Sequence, residues 1–295
     1  MAMQTKTIKQ KMKSVANIGK ITKAMEMISV SKMKKAVSKR NSSLLFAQES
    51  FALLENLQLN KSLSHPYLEE REGNKVLMLV VASNKGLCGG YNMNVSKQVT
   101  KFIAENPELT VDVIAVGRQA KRIATRNGLQ LIASFDDFSE YYTASEVRSL
   151  LHIIFDHYDQ GGYAEVRVAY TEFISSLAFE AKTSALIPLS IDESRKVLNK
   201  DGSEKKQRDF ALYTFEPSEQ EVLNTVVPAV LVTVLYQHLL EATASEHSSR
   251  VSAMRSASDN AEELGEELKI NFNRARQAGI TQEIAEIVGG SAAVS

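Results

Sequence analysis

The sequence predicts an α/β protein: a long antiparallel coiled coil of the N- and C-terminal helices, plus a central α/β domain with a mostly parallel sheet flanked by helices. Three observations predict it. The chain has no glycine between Lys20 and Glu72 and no proline before Pro66, and after Pro228 it has no further proline and no glycine until Gly265. Apolar residues at both ends recur three and four apart. Between them, short apolar runs of strand length alternate with amphipathic stretches.

At the N-terminus, Thr7 with Gln10 reads as a capping box. Ile8, Met12, Val15, Ile18, Ile21, Met25 and Ile28 follow at helical spacing with lysines between them. This predicts one helix from about residue 5 to about residue 59, roughly 80 Å long. Residues 60–74, with His65-Pro66 and Gly73, form a linker. From Lys75 the period changes. Residues 76–81, 111–116, 129–135 and 165–171 read as strands, with helices at 94–105, 118–126 and 146–158. That alternation implies a parallel sheet covered on both faces. Residues 183–191 and 210–215 read as further strands, and 199–208 as a polar loop.

The last third begins at Pro217, where Ser218 and Glu221 form a second capping box. Val251, Met254, Ala261, Leu264, Leu268, Phe272 and Ala275 make a helical stripe. This helix is predicted over 217–290, roughly 100 Å long, and exceeds the first by about four turns. Its tip, Ala275–Val294, is therefore expected to extend alone. The tip is apolar around much of its circumference, so another protein should enclose it. The resulting organisation is an N-terminal coiled-coil helix (1–60), a central α/β domain (75–210) and a C-terminal coiled-coil helix (217–290).

Thirty-five basic residues balance thirty-five acidic ones. The balance hides an asymmetry: residues 1–40 hold eleven Lys or Arg against Glu26 alone, while residues 259–290 hold seven acids against three basic residues. Such opposite ends suit each other and suit charged partners. Cys88 is the only cysteine, which rules out an internal disulfide. The N-terminus lacks the apolar region of a signal peptide. The most apolar run, Val226–Leu240, contains Pro228, Gln237 and His238 and is too short to span a bilayer.

Gly86-Leu87-Cys88-Gly89-Gly90 stands between a strand and a helix, where phosphate loops occur. It is neither G-x-G-x-x-G nor a Walker sequence, and a tight turn explains it better. Cys88 has no basic neighbour to activate it. His65, His152, His157, His238 and His247 show no metal-ligand spacing. Glu262, Glu263, Glu266 and Glu267 read as a solvated face. The lysines of the first helix could serve nucleic acid, but they surround an apolar stripe and lack interleaved aromatics. No catalytic constellation, cofactor site or metal site is present in the sequence. Two other readings remain at this point: a nucleotide-binding α/β enzyme and a coiled-coil adaptor with a nucleic-acid-binding arm.

Three stretches carry a family resemblance. Ile21-Thr22-Lys23-Ala24-Met25-Glu26-Met27 with Ser31-Lys32-Met33-Lys34 resembles the N-terminal signature of the gamma subunit of F-type ATP synthases. The glycine turn at 86–90 is similar to that family's middle motif. Residues 273–290, from Asn273-Arg274-Ala275-Arg276 to Ile287-Val288-Gly289-Gly290, resemble its C-terminal signature, departing at Gly279. The resemblance covers the whole chain in order and is of the bacterial type. It implies a central-stalk rotor without catalytic residues or cofactor of its own, coupling ion flow to ATP synthesis or hydrolysis on the cytoplasmic face of the cell membrane. It implies alpha and beta subunits around the coiled coil, with epsilon and the c-subunit ring as further partners, and no nucleic acid. By the same resemblance Met25, Lys32, Lys34 and Lys35 lie near the acidic lever loops of the beta subunits, and Arg276, Gln277, Thr281 and Glu283 contact the ring higher up.

Overall fold

The computed structural model describes residues 2–60, 62–139, 141–190 and 215–294. The elements are α1 (Ala2–Leu57), β1 (Lys75–Val81), α2 (Tyr91–Glu105), β2 (Thr110–Val116), α3 (Arg118–Arg126), β3 (Gln130–Phe135), α4 (Ala144–Asp159), β4 (Glu165–Phe173), β5 (Phe179–Ile187) and α5 (Glu219–Val294). The chain divides into two compact units, a paired-helix unit of residues 1–30 with 250–295 and a sheet unit of residues 31–249. Helices α1 and α5 contribute to both.

In the sheet unit the strand order is β3-β2-β1-β4-β5. All pairs are parallel except β4 with β5. Because strand side chains alternate, each central strand supplies both faces. Val76, Met78 and Val80 of β1 pack with α2 and α3, through Val95, Val99, Ile123 and Ala124. Leu77, Leu79 and Val81 point the other way, onto Leu150, Leu151 and Ile154 of α4 and onto the long helices. Phe51, Leu54 and Leu57 of α1 and Val227, Leu231 and Leu235 of α5 are buried in that second core. The apolar run of α5 is thus spent on covering the sheet. Strand β5 falls at 179–187, whereas 183–191 was expected from the sequence. The expected strand at 210–215 lies outside the described residues except for Phe215, and the expected loop at 199–208 lies wholly outside them.

The start of α4 shows a cap that sequence periodicity does not isolate. Thr143 accepts the Glu146 N–H at 3.2 Å, and the Glu146 carboxylate accepts the Thr143 N–H at 2.6 Å and the Ser139 N–H at 2.7 Å. Burial raises the Glu146 carboxyl, but the hydrogen bonds of Ser139 and Thr143 outweigh it and bring it to about 2. A carboxyl depressed by folding stabilises above its ordinary value of 4.5 and loses that contribution as pH falls from there toward 2. Glu146→Gln is expected to lower stability by about 1 kcal/mol at neutral pH. Urea unfolding should show the difference from wild type closing across that acid window.

The paired-helix unit holds an antiparallel pair. A Cβ built on Gly19 would meet the Ala261 Cβ at 3.5 Å, and Glu26 Oε1 accepts from Arg255 Nε at 3.0 Å, so residue number rises on one helix as it falls on the other. The shielded residues of α1 in this unit include Ile8, Met12, Val15, Gly19, Thr22, Glu26 and Ser29, with Thr5, Met25 and Val30 also half-buried. On α5 they include Met254, Ser258, Ala261, Gly265, Leu268, Phe272, Ala275 and Gly279, with Val251, Ala253 and Ala257 also half-buried. Both rows step by alternating threes and fours, the seam of a coiled coil. This corrects the stripe expected from the sequence: Ile18, Ile21 and Ile28 are 52, 59 and 54% exposed, and Leu264 is 45% exposed. The Thr7–Gln10 capping box is also overturned, because α1 already begins at Ala2.

The seam keeps small and polar residues because each is satisfied there. The Thr22 hydroxyl donates to the Ile18 carbonyl at 3.1 Å, and Ser29 donates to the Met25 carbonyl at 2.7 Å. Glu26 accepts from Lys23 at 2.9 Å as well as from Arg255, and these two bonds, Lys23 first, hold its carboxyl below the ordinary value. Gly19 is needed for neither its φ nor its bareness, since its added Cβ would make an ordinary contact. Gly19→Ala is therefore expected to stabilise α1 by roughly 0.5–1 kcal/mol. Slower amide exchange across residues 15–25 is the measurement, and faster exchange would contradict the ordinary contact.

Candidate interaction surface

The glycine loop is built as a turn. Gly89 and Leu87 take positive φ, 56° and 62°, and Gly90 is the N-cap of α2. Its interior is occupied by protein atoms. Asn92 Nδ2 donates to Cys88 Sγ at 3.2 Å and to Ser83 Oγ at 2.8 Å, and Ser249 Oγ donates to the Cys88 carbonyl at 2.6 Å. Cys88 is buried. The histidines are dispersed. His65 accepts the Tyr67 N–H, His238 stacks on Tyr170, and exposed His152 lies 3.9 Å from Asp156. Among the described residues no group of three or more His, Cys, Asp or Glu side chains could hold a metal ion.

What the sheet unit does build is a polar clasp between its segments of α1 and α5. Arg40 Nε donates to Glu241 Oε1 at 3.0 Å, with Glu241 wholly buried. One turn away Gln237 Nε2 donates to Ser43 Oγ at 2.8 Å. The Tyr170 ring of β4 packs 4.2 Å from His238, and burial first, Glu241 second, push its phenol well above its ordinary value. Sequence reasoning missed this clasp. Its signal was a cluster of hydrogen-bonding residues (Gln237, His238, Glu241) inside the most apolar stretch of the chain, where only paired groups are tolerated.

The residues expected to touch partners fall in both units. In the paired-helix unit Met25 is half-buried, one residue before the seam position Glu26. Arg276, Gln277, Thr281 and Glu283 are all exposed on α5. Arg276 and Glu283, seven apart, share a face, and Thr281 donates to the Gln277 carbonyl at 3.0 Å. In the sheet unit Lys34 and Lys35 are exposed and Lys32 is half-buried. The Lys35 ammonium sits 4.7 Å over the Tyr141 ring. Beyond Gly279 the described side chains of α5 are exposed, including Ile280, Ile284, Ile287 and Val288. The tip expected from Ala275 onward therefore begins later, since Ala275 and Gly279 are still half-buried while Ile280, Ile284 and Ile287 are exposed.

The family model described as ATP synthase matches residues 4–294. The chain is 34% identical to the ATP synthase gamma chain of Cupriavidus pinatubonensis over 294 residues, 98% of this chain and 99% of that one. Among solved structures it is similar to a chain of the central stalk and c-ring of the Tetrahymena thermophila mitochondrial ATP synthase, with 25% identity, a TM-score of 0.57, and coverage of 81% of this chain and 99% of that one. It also shares its fold with a chain of the Euglena gracilis mitochondrial ATP synthase rotor, at 14% identity and a TM-score of 0.65, covering 95% of this chain and 100% of that one.

Proposed function

The chain belongs to the ATP synthase gamma chain family, and from that premise we propose that it is the central-stalk rotor of an F-type ATP synthase of the bacterial type. It couples proton flow through a ring of c subunits to ATP synthesis and hydrolysis in a surrounding ring of alpha and beta subunits, with epsilon beside it. The observation that carries this reading is the helix pair: α5 runs past the start of α1 into an exposed apolar tip. A shaft inside a bearing needs such an end. The chain acts peripherally, on the cytoplasmic face of the membrane, and the bond-making residues belong to its partners.

Met25, Lys32, Lys34 and Lys35 meet acidic loops of the beta subunits in this proposal, and Arg276, Gln277, Thr281 and Glu283 meet the ring higher on the shaft. A rotor that visits several orientations cannot be held tightly in any one. Exposed ion pairs suit it, since each contributes only ~0.2–1 kcal/mol and can break as the shaft turns. The shaft is asymmetric, so each orientation favours a different state of each catalytic subunit, which is what couples rotation to nucleotide affinity.

Reconstitution with the alpha and beta subunits of the same organism tests the proposal. A complex with one copy of this chain is expected by native mass, and its ATP hydrolysis should fall when residues 276–295 are deleted. Failure to assemble, together with ATP binding by this chain alone, would return the glycine loop to the front as a nucleotide site. Steeply salt-dependent binding to DNA or RNA would instead favour an adaptor.

A further inference from the structure

The sheet unit holds a groove that neither the glycine turn nor the clasp uses. It lies between α1, α4 and α5 and has a volume of about 860 Å³. Small-ligand pockets run from about 300 to 1,000 Å³. Leu151 and Thr233 are buried beneath it, and half-buried Phe155, Pro228 and Val232 flank it. Phe46 of α1 also lines it and is 64% exposed, so its mouth is open.

The helices α4 and α5 run in opposite directions along this groove. Tyr142, just before α4, hydrogen-bonds with Thr243 of α5. Phe155, late in α4, stacks on Tyr67 with ring centroids 4.6 Å apart, and the carbonyl of nearby Ser64 accepts from Gln220 Nε2 at 2.8 Å. Early α4 therefore lies beside the later residues of α5, which sets Arg148 across from Tyr236 and Phe155 across from Pro228. Ser43 joins the first end through its bond with Gln237. The groove is thus polar at one end and apolar at the other. Among the described residues the Arg148 guanidinium has no ion pair and the Tyr236 hydroxyl no hydrogen-bond partner. His152, on the same rim, lies 3.9 Å from Asp156.

We propose that this groove binds a free amphiphilic carboxylate, with its head on Arg148 and Tyr236 and its apolar body directed toward Phe155 and Pro228. A planar guanidinium takes a carboxylate bidentately, and a phenol donates one further bond. One unpaired guanidinium matches one negative charge, and the stretch of α4 from Ala144 to Phe155 limits the body to about 16 Å. A protein face is the poorer occupant, because an interface of ordinary size takes about 20–30 residues from each side, more than line this groove. The inference goes beyond the rotor reading and does not depend on it.

The chain has no Trp, so Phe46→Trp in the full chain reports on this groove alone. Dodecanoate, kept below its micellar concentration, is expected to shift that emission to the blue, and titration calorimetry of the wild-type chain should show one molecule bound. Arg148 and Ala229 are exposed, so urea unfolding of their variants should match the parent. Arg148→Gln is expected to weaken binding by about tenfold or more, and Ala229→Phe, which fills the apolar end, should abolish it. Dodecyltrimethylammonium, the same chain length with the opposite charge, should bind the wild-type chain at least about tenfold more weakly, a comparison that needs no variant. Equal affinity for the two amphiphiles, an unchanged affinity in Arg148→Gln, or several molecules bound per chain overturns the site. So does loss of dodecanoate binding in the reconstituted alpha–beta assembly, which would give the groove to another subunit. The rotor reading stands or falls separately, on the native mass of that assembly.

Discussion

Gly117→Ala is expected to destabilise the sheet unit by more than about 3 kcal/mol, a large share of a domain's total stability. Gly117 closes β2 and is the N-cap of α3, with φ 91° and ψ 148°, a conformation that side chains rarely adopt. A Cβ there would collide with the Ala82 carbonyl oxygen, backbone that cannot swing away. The surrounding bonds leave it no freedom: the Gly117 N–H donates to the Phe135 carbonyl at 2.9 Å, Gln119 N–H to the Ser83 carbonyl at 3.0 Å, and Arg118 N–H to Asn84 Oδ1 at 3.0 Å. Gly128 supplies the contrast. It also has positive φ, 67°, but open space where its Cβ would point. Gly128→Asn should therefore cost about 1 kcal/mol or less, since asparagine tolerates that region. Urea midpoints of the two variants decide it, and equal losses would show that the β2–α3 turn can shift.

Removing the guanidinium of the clasp is the second large effect. Arg40→Met leaves the Glu241 carboxylate in the core without its ion pair, for a loss of about 3–5 kcal/mol. The double variant Arg40→Met, Glu241→Leu should recover much of that loss, because apolar packing can replace a buried pair once neither charge remains. Urea unfolding of the single and double variants measures the recovery. A single variant as stable as wild type would mean that the pair contributes nothing to holding α1 against α5. For a rotor the double variant carries a further expectation. If the clasp serves to stop one helix slipping past the other, the double variant should assemble normally yet hydrolyse ATP with weakened coupling to proton movement. Unchanged coupling would confine the clasp to stability.

Most of the elements were legible because their signals are local. Val76–Val81 alternates between two buried faces, so a continuous apolar run bounded by turn residues reads as a central strand whatever lies around it. Helix α3 is bounded by Gly117 and Asn127–Gly128, and its predicted and observed limits coincide. The long helices followed from the absence of breakers over dozens of residues. The glycine turn could be separated from a phosphate loop by the missing residues alone. Family signatures carried the rest of the functional reading, and they are long enough to need no structure.

The phase of the coiled coil was not legible in this way. Residues 15–29 offer two rows one residue apart, and hydrophobicity favours Ile18, Ile21, Met25 and Ile28 over Gly19, Thr22, Glu26 and Ser29. A periodicity argument must choose the apolar row, and the molecule takes the other. The reason lies more than two hundred residues along the chain. Gly19 faces Ala261 across the seam, and Arg255 can answer Glu26 only if Glu26 faces it. Arg40 and Glu241 show the same dependence, since neither has a reason to be buried until the other arrives. Periodicity and turn chemistry settled which segments are helix and strand, because those preferences act over a few residues. Which face of each helix is inside was settled by partners from the opposite end of the chain, and the apolar row displaced from the seam is left outward.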